Sequence, residues 1–182
     1  QWLQLKLLYC SSVKQRPSAM PTSRSTNKSA DRLHLDRFVP YRLSVLSNLV
    51  SMSIAHAYER EFGLTIPEWR VLAVLARYPN LSAIEVAERT AMDKVAVSRA
   101  VQSLLASRRL VRAYDKGDRR RSILRLSATG RAVYTRVAPL ALGYERKLLN
   151  ALSASDRRAL DRLIGRLMDR ARVLDHFEGE SL

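Results

Sequence analysis

Cysteine, glycine, histidine and long apolar runs are all scarce in this chain of 182 residues. The one cysteine, Cys10, leaves no internal disulfide and no thiol-based metal site, so neither an oxidising compartment nor a zinc ribbon is needed to account for the fold. Its six glycines, at 63, 117, 130, 143, 165 and 179, are too scattered for a phosphate-cradling loop, which excludes dinucleotide and P-loop fingerprints. Apolar runs last only a few residues, against the ~20 needed to cross a bilayer. His34, His56 and His176 lie in separate segments without metal-ligand spacing. There is no nucleophile elbow, no His-Glu-x-x-His and no carboxylate pair set off by its surroundings. The chain therefore reads as a cytoplasmic non-enzyme with no cofactor and no metal.

Positive charge is what it has in excess. Lys and Arg number 32 against 17 Asp and Glu, a formal charge of +15 and a pI near 10.8. Lys6, Lys14, Arg16, Arg24 and Lys28 stand in the first 30 residues without an acid, so residues 31–182 still hold +10. A basic surface of this size attracts polyanions, and the cellular ones are nucleic acid and anionic membrane. With 47% hydrophobic residues the chain can also bury a core.

Residues 1–35 read as a basic, disordered tail, because Ser, Thr, Lys and Arg dominate from Ser11 to Ser29 without a helical period. Met20 is a candidate true start, with residues 1–19 an artefact of annotation. Residues 36–175 read as one folded domain, its DNA-binding lobe near 65–127, and residues 176–182 as a tail.

From Pro40 an apolar stripe of Leu43, Leu46, Val50, Ile54 and Ala57 predicts a long helix up to Gly63. A second helix opens at Pro67, carries Trp69, Val71, Leu72, Val74 and Leu75, and stops at Pro79 and Asn80. Ser82 with Glu85 forms a capping box for a short helix to Arg89; Thr90 to Met92 turn the chain, and Asp93 caps the next helix, to about Ser107, with Val97, Val101, Leu104 and Leu105 inward. Two short helices joined by a tight turn make a helix-turn-helix. The period then becomes two: Leu110 to Tyr114 and Ser122 to Leu126 predict a β-hairpin with a cationic tip over 115–121. Ser127 caps a long helix kinked by Pro139 and ending near Leu152. Ser153 and Asp156 form another capping box, before a last helix whose Leu160, Leu163, Leu167, Ala171 and Leu174 make a coiled-coil-like seam.

On the second helix of the helix-turn-helix, Lys94, Val95, Ser98, Arg99 and Gln102 share the face opposite the apolar stripe. That inventory suits a major groove: Arg for guanine or phosphate, Gln for adenine, Ser for either, and Val95 for a thymine methyl. A merely solvated face would look the same on another helix; this helix is the one that docks. At the hairpin tip, Lys116, Arg119, Arg120 and Arg121 have Asp118 as their close counter-charge, and a minor groove supplies the potential that holds such cations together. Apolar seams on both the long first helix and the last helix exceed what one small domain covers, so a second copy is expected to bury Leu160, Leu163, Leu167 and Leu174.

From about Phe38 to Leu174 the sequence resembles the MarR family of bacterial winged helix-turn-helix regulators. The resemblance rests on Asp93-Lys94-Val95-Ala96-Val97-Ser98-Arg99 and on the wing, Asp118-Arg119-Arg120 followed by Leu126-Ser127-Ala128-Thr129-Gly130. The family has threonine where Ser127 stands, a mild change because both residues cap helices. The resemblance implies a mainly α fold with a small β-hairpin wing and long N- and C-terminal dimerisation helices. It implies that Asp118 shapes the wing, that Arg120 enters the minor groove, and that the first, fifth and sixth helices form the dimer. It also implies a small aromatic acid in a crevice lined by some of Tyr41, Arg42, Ser44, Ser47, Ser51, His56, Trp69 and Arg70. Tyr41, Arg42, Ser44, Trp69 and Arg70 are the candidates for that ligand. Cys10 lies in the tail, outside any helix that would activate its thiolate, which speaks against peroxide sensing.

Two functions follow. One is a homodimeric, ligand-relieved repressor that reads a pseudo-palindromic operator in double-stranded DNA. The other is a basic architectural or membrane-surface protein that binds polyanions without sequence preference.

Overall fold

The computed structural model describes residues 33–114 and 122–179, with side chains through Leu174. The expectations for the tail, Cys10, Met20 and the hairpin tip fall outside the described residues. Residues 33–38 form a short turn, closed by the Phe38 amide donating to the His34 carbonyl at 2.9 Å. From Val39 six helices and one hairpin follow: α1 (Val39–Phe62), α2 (Ile66–Arg77), α3 (Ala83–Thr90), α4 (Lys94–Ala106), β1 (Leu110–Tyr114), β2 (Ser122–Leu126), α5 (Ala128–Leu149) and α6 (Ala154–Gly179). The mainly helical class with a two-stranded wing is as expected.

Each boundary has a local cause. Gly63 ends α1 at φ +60°, its amide reaching back to the Glu59 carbonyl at 2.8 Å, the left-handed stop that glycine adopts without strain. Helix α2 starts one residue before Pro67. Thr65 and Glu68 form a capping box there, the Thr65 hydroxyl on the Glu68 amide and the Glu68 carboxylate on the Thr65 amide. Helix α5 runs unbroken through Pro139. Ahead of α6, Ser153 accepts from the Asp156 amide at 3.2 Å and donates to the Asp156 carboxylate at 2.6 Å. Thus the box expected there is made between the two side chains and one amide.

Strands β1 and β2 pair antiparallel with Leu110 opposite Leu126 and Tyr114 opposite Ser122. A bridge from Leu81 to Leu124 adds a third short edge. Ser127 then fixes the exit of the hairpin: its hydroxyl donates to the Arg108 carbonyl at 2.7 Å, accepts from the Gly130 amide at 3.0 Å, and its own amide donates to the Arg109 carbonyl at 3.0 Å.

The core lies among α2, α3, α4, the hairpin, the first half of α5 and the C-terminal end of α1, with Leu72, Leu75, Val86, Val97, Leu104 and Val137 at its centre. Here the stripe expected on α1 is corrected. Ala55 and Tyr58 are buried and Ile54 and Phe62 pack beside them, whereas Leu43, Leu46 and Ala57 are exposed. Only the C-terminal half of α1, from Val50 onward, meets its own domain. Helix α6 is barer still, for between Ala154 and Leu174 only Ala159 is less than exposed. Leu160, Leu163, Leu167 and Leu174 of the expected seam all face outward, at 38 to 52% exposure.

Candidate nucleic-acid interface

Helices α3 and α4 make the helix-turn-helix. Ser82 and Glu85 cap α3 reciprocally, the Ser82 amide donating to the carboxylate at 2.7 Å and the Glu85 amide to the serine hydroxyl at 3.3 Å. The turn passes through Ala91 at φ +51°, where the Ala91 amide meets the Glu88 carbonyl and the Met92 amide meets the Ala87 carbonyl at 3.3 Å. A left-handed alanine costs roughly 1 kcal/mol, and the two bonds hold it. Asp93 opens α4 by accepting from the Val95 and Ala96 amides at 2.8 and 3.0 Å.

Val97, Ala100, Val101 and Leu104 turn α4 inward. The opposite face leaves Lys94, Val95, Ser98, Arg99 and Gln102 all exposed, Val95 at 59%. Asp118, Arg119, Arg120 and Arg121 lie outside the described residues; the strands that lead to them, β1 and β2, are in register up to Tyr114 and Ser122.

Behind α4 sits a group that sequence reading missed. Glu68 is the one buried charged side chain among the described residues, at 5% exposure. Its carboxylate accepts from the Thr65 amide at 2.7 Å and the Thr65 hydroxyl at 2.8 Å. Burial pushes this carboxyl up, but the Ser103 hydroxyl, the two Thr65 donors and the Arg109 charge together outweigh it and hold it below its ordinary range. Arg109 in turn donates to the Phe62 carbonyl at the end of α1. Thr65-x-x-Glu68 ahead of an apolar run was the available signal; Pro67 drew the helix start one residue late.

The crevice candidates divide into two groups. Trp69 lies between Tyr58 and Tyr134, its ring centroid 5.8 Å from each, and Arg70 donates to the Ser51 hydroxyl at 3.1 Å. These join α2 to α1 and α5. Tyr41, Arg42 and Ser44 are exposed on the first turns of α1, about 10 to 15 Å along the helix from Ser51 at 1.5 Å per residue. The structure does not bring the two groups together within one chain. Burial pushes the Tyr58 phenol up to about 12, against the pull of Arg70.

A three-helix lobe with a hairpin, an exposed second helix in its helix-turn-helix and a separate pair of long helices defines the class of winged helix-turn-helix proteins. Residues 62–121 match the MarR family, so the resemblance read from the sequence is borne out over those residues. The fold is similar to that of a MarR/EmrR family transcriptional regulator from Acinetobacter sp. ADP1, at 24% identity and a TM-score of 0.71, over 77% of this chain and 99% of that one. It is also similar to PcaV of Streptomyces coelicolor, solved with its natural ligand, at 25% identity and a TM-score of 0.65, over 77% and 98%. BpsR of Bordetella bronchiseptica, whose DNA binding is regulated by 6-hydroxynicotinic acid, is similar at 23% identity and a TM-score of 0.67, over 76% and 98%. No curated protein matches the chain.

Proposed function

We propose that the chain is a sequence-specific transcriptional regulator that binds double-stranded DNA as a homodimer, with α4 in the major groove. The observation that carries this reading is the outward face of α4, where Lys94, Val95, Ser98, Arg99 and Gln102 stand together on the second helix of a capped helix-turn-helix. Cations anchor phosphate, while the amide, hydroxyl and valine suit base edges. The net charge of +15 favours encounter with DNA in the cytoplasm. Among the described residues no helix is long and apolar enough to cross a membrane.

The dimer follows from α6, a helix whose leucine seam stands exposed among the described residues. A second copy offers the same seam, and a two-fold pair presents two α4 helices to half-sites about 10 bp apart. Regulation is by repression, relieved by a small aromatic acid. Support for this comes from Arg70 and Trp69, a cation and an aromatic wall at the junction of α1 and α2, and from the ligand-responsive proteins of like fold. Because Trp69 already has the Tyr134 ring stacked on it and the Tyr58 ring tilted against it within its own chain, such a ligand binds at the Ser51 and Arg70 end, with Tyr41, Arg42 or Ser44 supplied across the dimer.

The test is binding to duplex DNA from upstream of the protein's own gene against random duplex at fixed salt. A preference of ~10³ or more supports the regulator; equal affinity for both supports a polyanion-binding protein without sequence preference. Benzoate, salicylate and hydroxycinnamate are then titrated against the operator complex, and a lack of effect from all of them rejects the aromatic-acid reading.

A further inference from the structure

We propose that Asn80 and Arg125 are positioning residues for DNA recognition, the bond between their side chains setting the angle of the hairpin wing against the helix-turn-helix. The proposal rests on the DNA-binding reading above and goes beyond it to two residues that lie on neither the outward face of α4 nor the tip of the hairpin.

Asn80 stands at φ +70° in the link between α2 and α3, a left-handed conformation that asparagine tolerates better than most side chains. Two residues on, Ser82 caps α3, so whatever holds Asn80 holds the entry to the helix-turn-helix. Three bonds join this link to β2. The Asn80 amide donates to the Leu124 carbonyl at 3.1 Å, and the Leu124 amide donates to the Leu81 carbonyl at 2.8 Å. The third is made by side chains, the Arg125 guanidinium donating through Nε to the Asn80 amide oxygen Oδ1.

Both backbone bonds meet at Leu124 and form one isolated rung with Leu81. A single rung is a pivot. The core takes Leu110, Leu124 and Leu126 at the base of the hairpin, whereas Arg112 and Tyr114, on the way to the tip, are exposed. The side-chain bond falls one residue from the pivot and so opposes the rotation that the rung permits. Asn80 and Arg125 are themselves exposed, and a hydrogen bond open to water adds little to stability. What it adds is direction.

From Arg125 back to Ser122, the first residue of β2, is three residues, about 10 Å of strand. A swing of about 10° about Leu124 therefore carries that end of the hairpin by about 2 Å. Hydrogen bonds to base edges weaken steeply over such a displacement, while contacts to phosphate tolerate it. With α4 in a major groove and the wing beside it, an unlatched wing costs discrimination before it costs affinity for DNA in general.

The experiment measures binding of the full chain to operator and to random duplex at fixed salt, for wild type, Asn80→Gly, Asn80→Asp, Arg125→Thr and the double variant of Asn80→Gly with Arg125→Thr. Glycine keeps the left-handed backbone and its amide and removes the side chain alone; aspartate keeps an acceptor for Arg125 and tolerates the same backbone. Threonine suits an exposed strand position and is too short to reach Asn80, which keeps one variant folded whatever Asn80→Gly does. Circular dichroism checks the fold of each. Asn80→Gly and Arg125→Thr should each lower the ratio of operator to random-duplex affinity about tenfold, and the double variant no further. Asn80→Asp should keep the wild-type ratio, since its added charge repels both duplexes alike. An unchanged ratio in either single variant, losses that add in the double variant, or a loss in Asn80→Asp as great as in Asn80→Gly would overturn the proposal while the regulator reading stands. Wild-type protein with no preference would overturn both.

Discussion

The carbonyl oxygen of Arg109 lies 2.0 Å from where a Cβ on Gly130 would stand. That oxygen cannot retreat, because it accepts the Ser127 amide at 3.0 Å while the Ser127 hydroxyl holds the neighbouring Arg108 carbonyl. The Leu-Ser-x-x-Gly stretch is therefore a packing requirement: the serine pins the hairpin exit to the first turn of α5, and the glycine lets it come that close. Gly130→Ala should cost about 1 to 3 kcal/mol, the range for overpacking a fixed site. Chemical denaturation would show it as a lowered midpoint, and an unchanged midpoint would mean that the turn yields.

In the proposed dimer, Leu163→Asp and Leu167→Asp should each give a monomer that remains folded. Both side chains are about half exposed within one chain, so the penalty for a charge arises only where a second copy buries it. Light scattering reads the mass and circular dichroism the helix content; a dimer of unchanged mass in both variants would place the interface elsewhere.

Arg99→Ala should cost about 1 to 3 kcal/mol of operator affinity if the guanidinium reads a base. Arg120→Ala, between β1 and β2 in the sequence, should flatten the dependence of log affinity on log salt by about one unit, the release of one phosphate's counterions. Binding measured at several salt concentrations separates the two; wild-type behaviour in either variant removes that residue from the interface.

Acid should weaken the fold through Glu68. Its folded-state pKa lies below the unfolded value, so its contribution is complete above the ordinary carboxylate range, near 4.3, and disappears as pH falls through the depressed folded value. The stability gap between wild type and Glu68→Gln should be flat from about pH 6 upward and should close on acidification. A gap that widens in acid would reverse the sign of the argument.

Alkali should act through Tyr58. With its phenol pushed up to about 12, the folded state keeps a proton that the unfolded chain releases near 10. Stability from this group is complete below about pH 10 and falls between there and about 12. Absorbance titration near 295 nm should show one tyrosine ionising last, and Tyr58→Phe should remove that step.

Much of the fold was legible because its signals are local. Ser82 with Glu85, Asp93 and Ser127 each satisfy amides within three residues, and the alternation on either side of the tip set a hairpin register that needs no distant partner. What was not legible depends on distant partners. Helix α1 has apolar residues on more than one face, and nothing in Leu43 or Ala55 says which face meets its own domain and which is left outward. Glu68 reads as an ordinary cap, and its burial and the influence of Arg109, 41 positions away, on its acidity arise only in the fold. The exposed face of α4 was read correctly from spacing alone, whereas the crevice candidates were chosen by residue type and fall in two groups.

Helix α1 has 24 residues, a rod of roughly 36 Å, and the lobe that carries α4 grips it only from Val50 onward. The rest projects as a lever arm. A tilt of about 5° about its free end carries Phe62, and with it the lobe, about 3 Å, close to the ~3.4 Å rise of one base step. In the proposed regulator, small adjustments among the long helices would thus be magnified into a whole step of the DNA ladder, making a tight grip on an operator and a readiness to let go of it properties of the same rod.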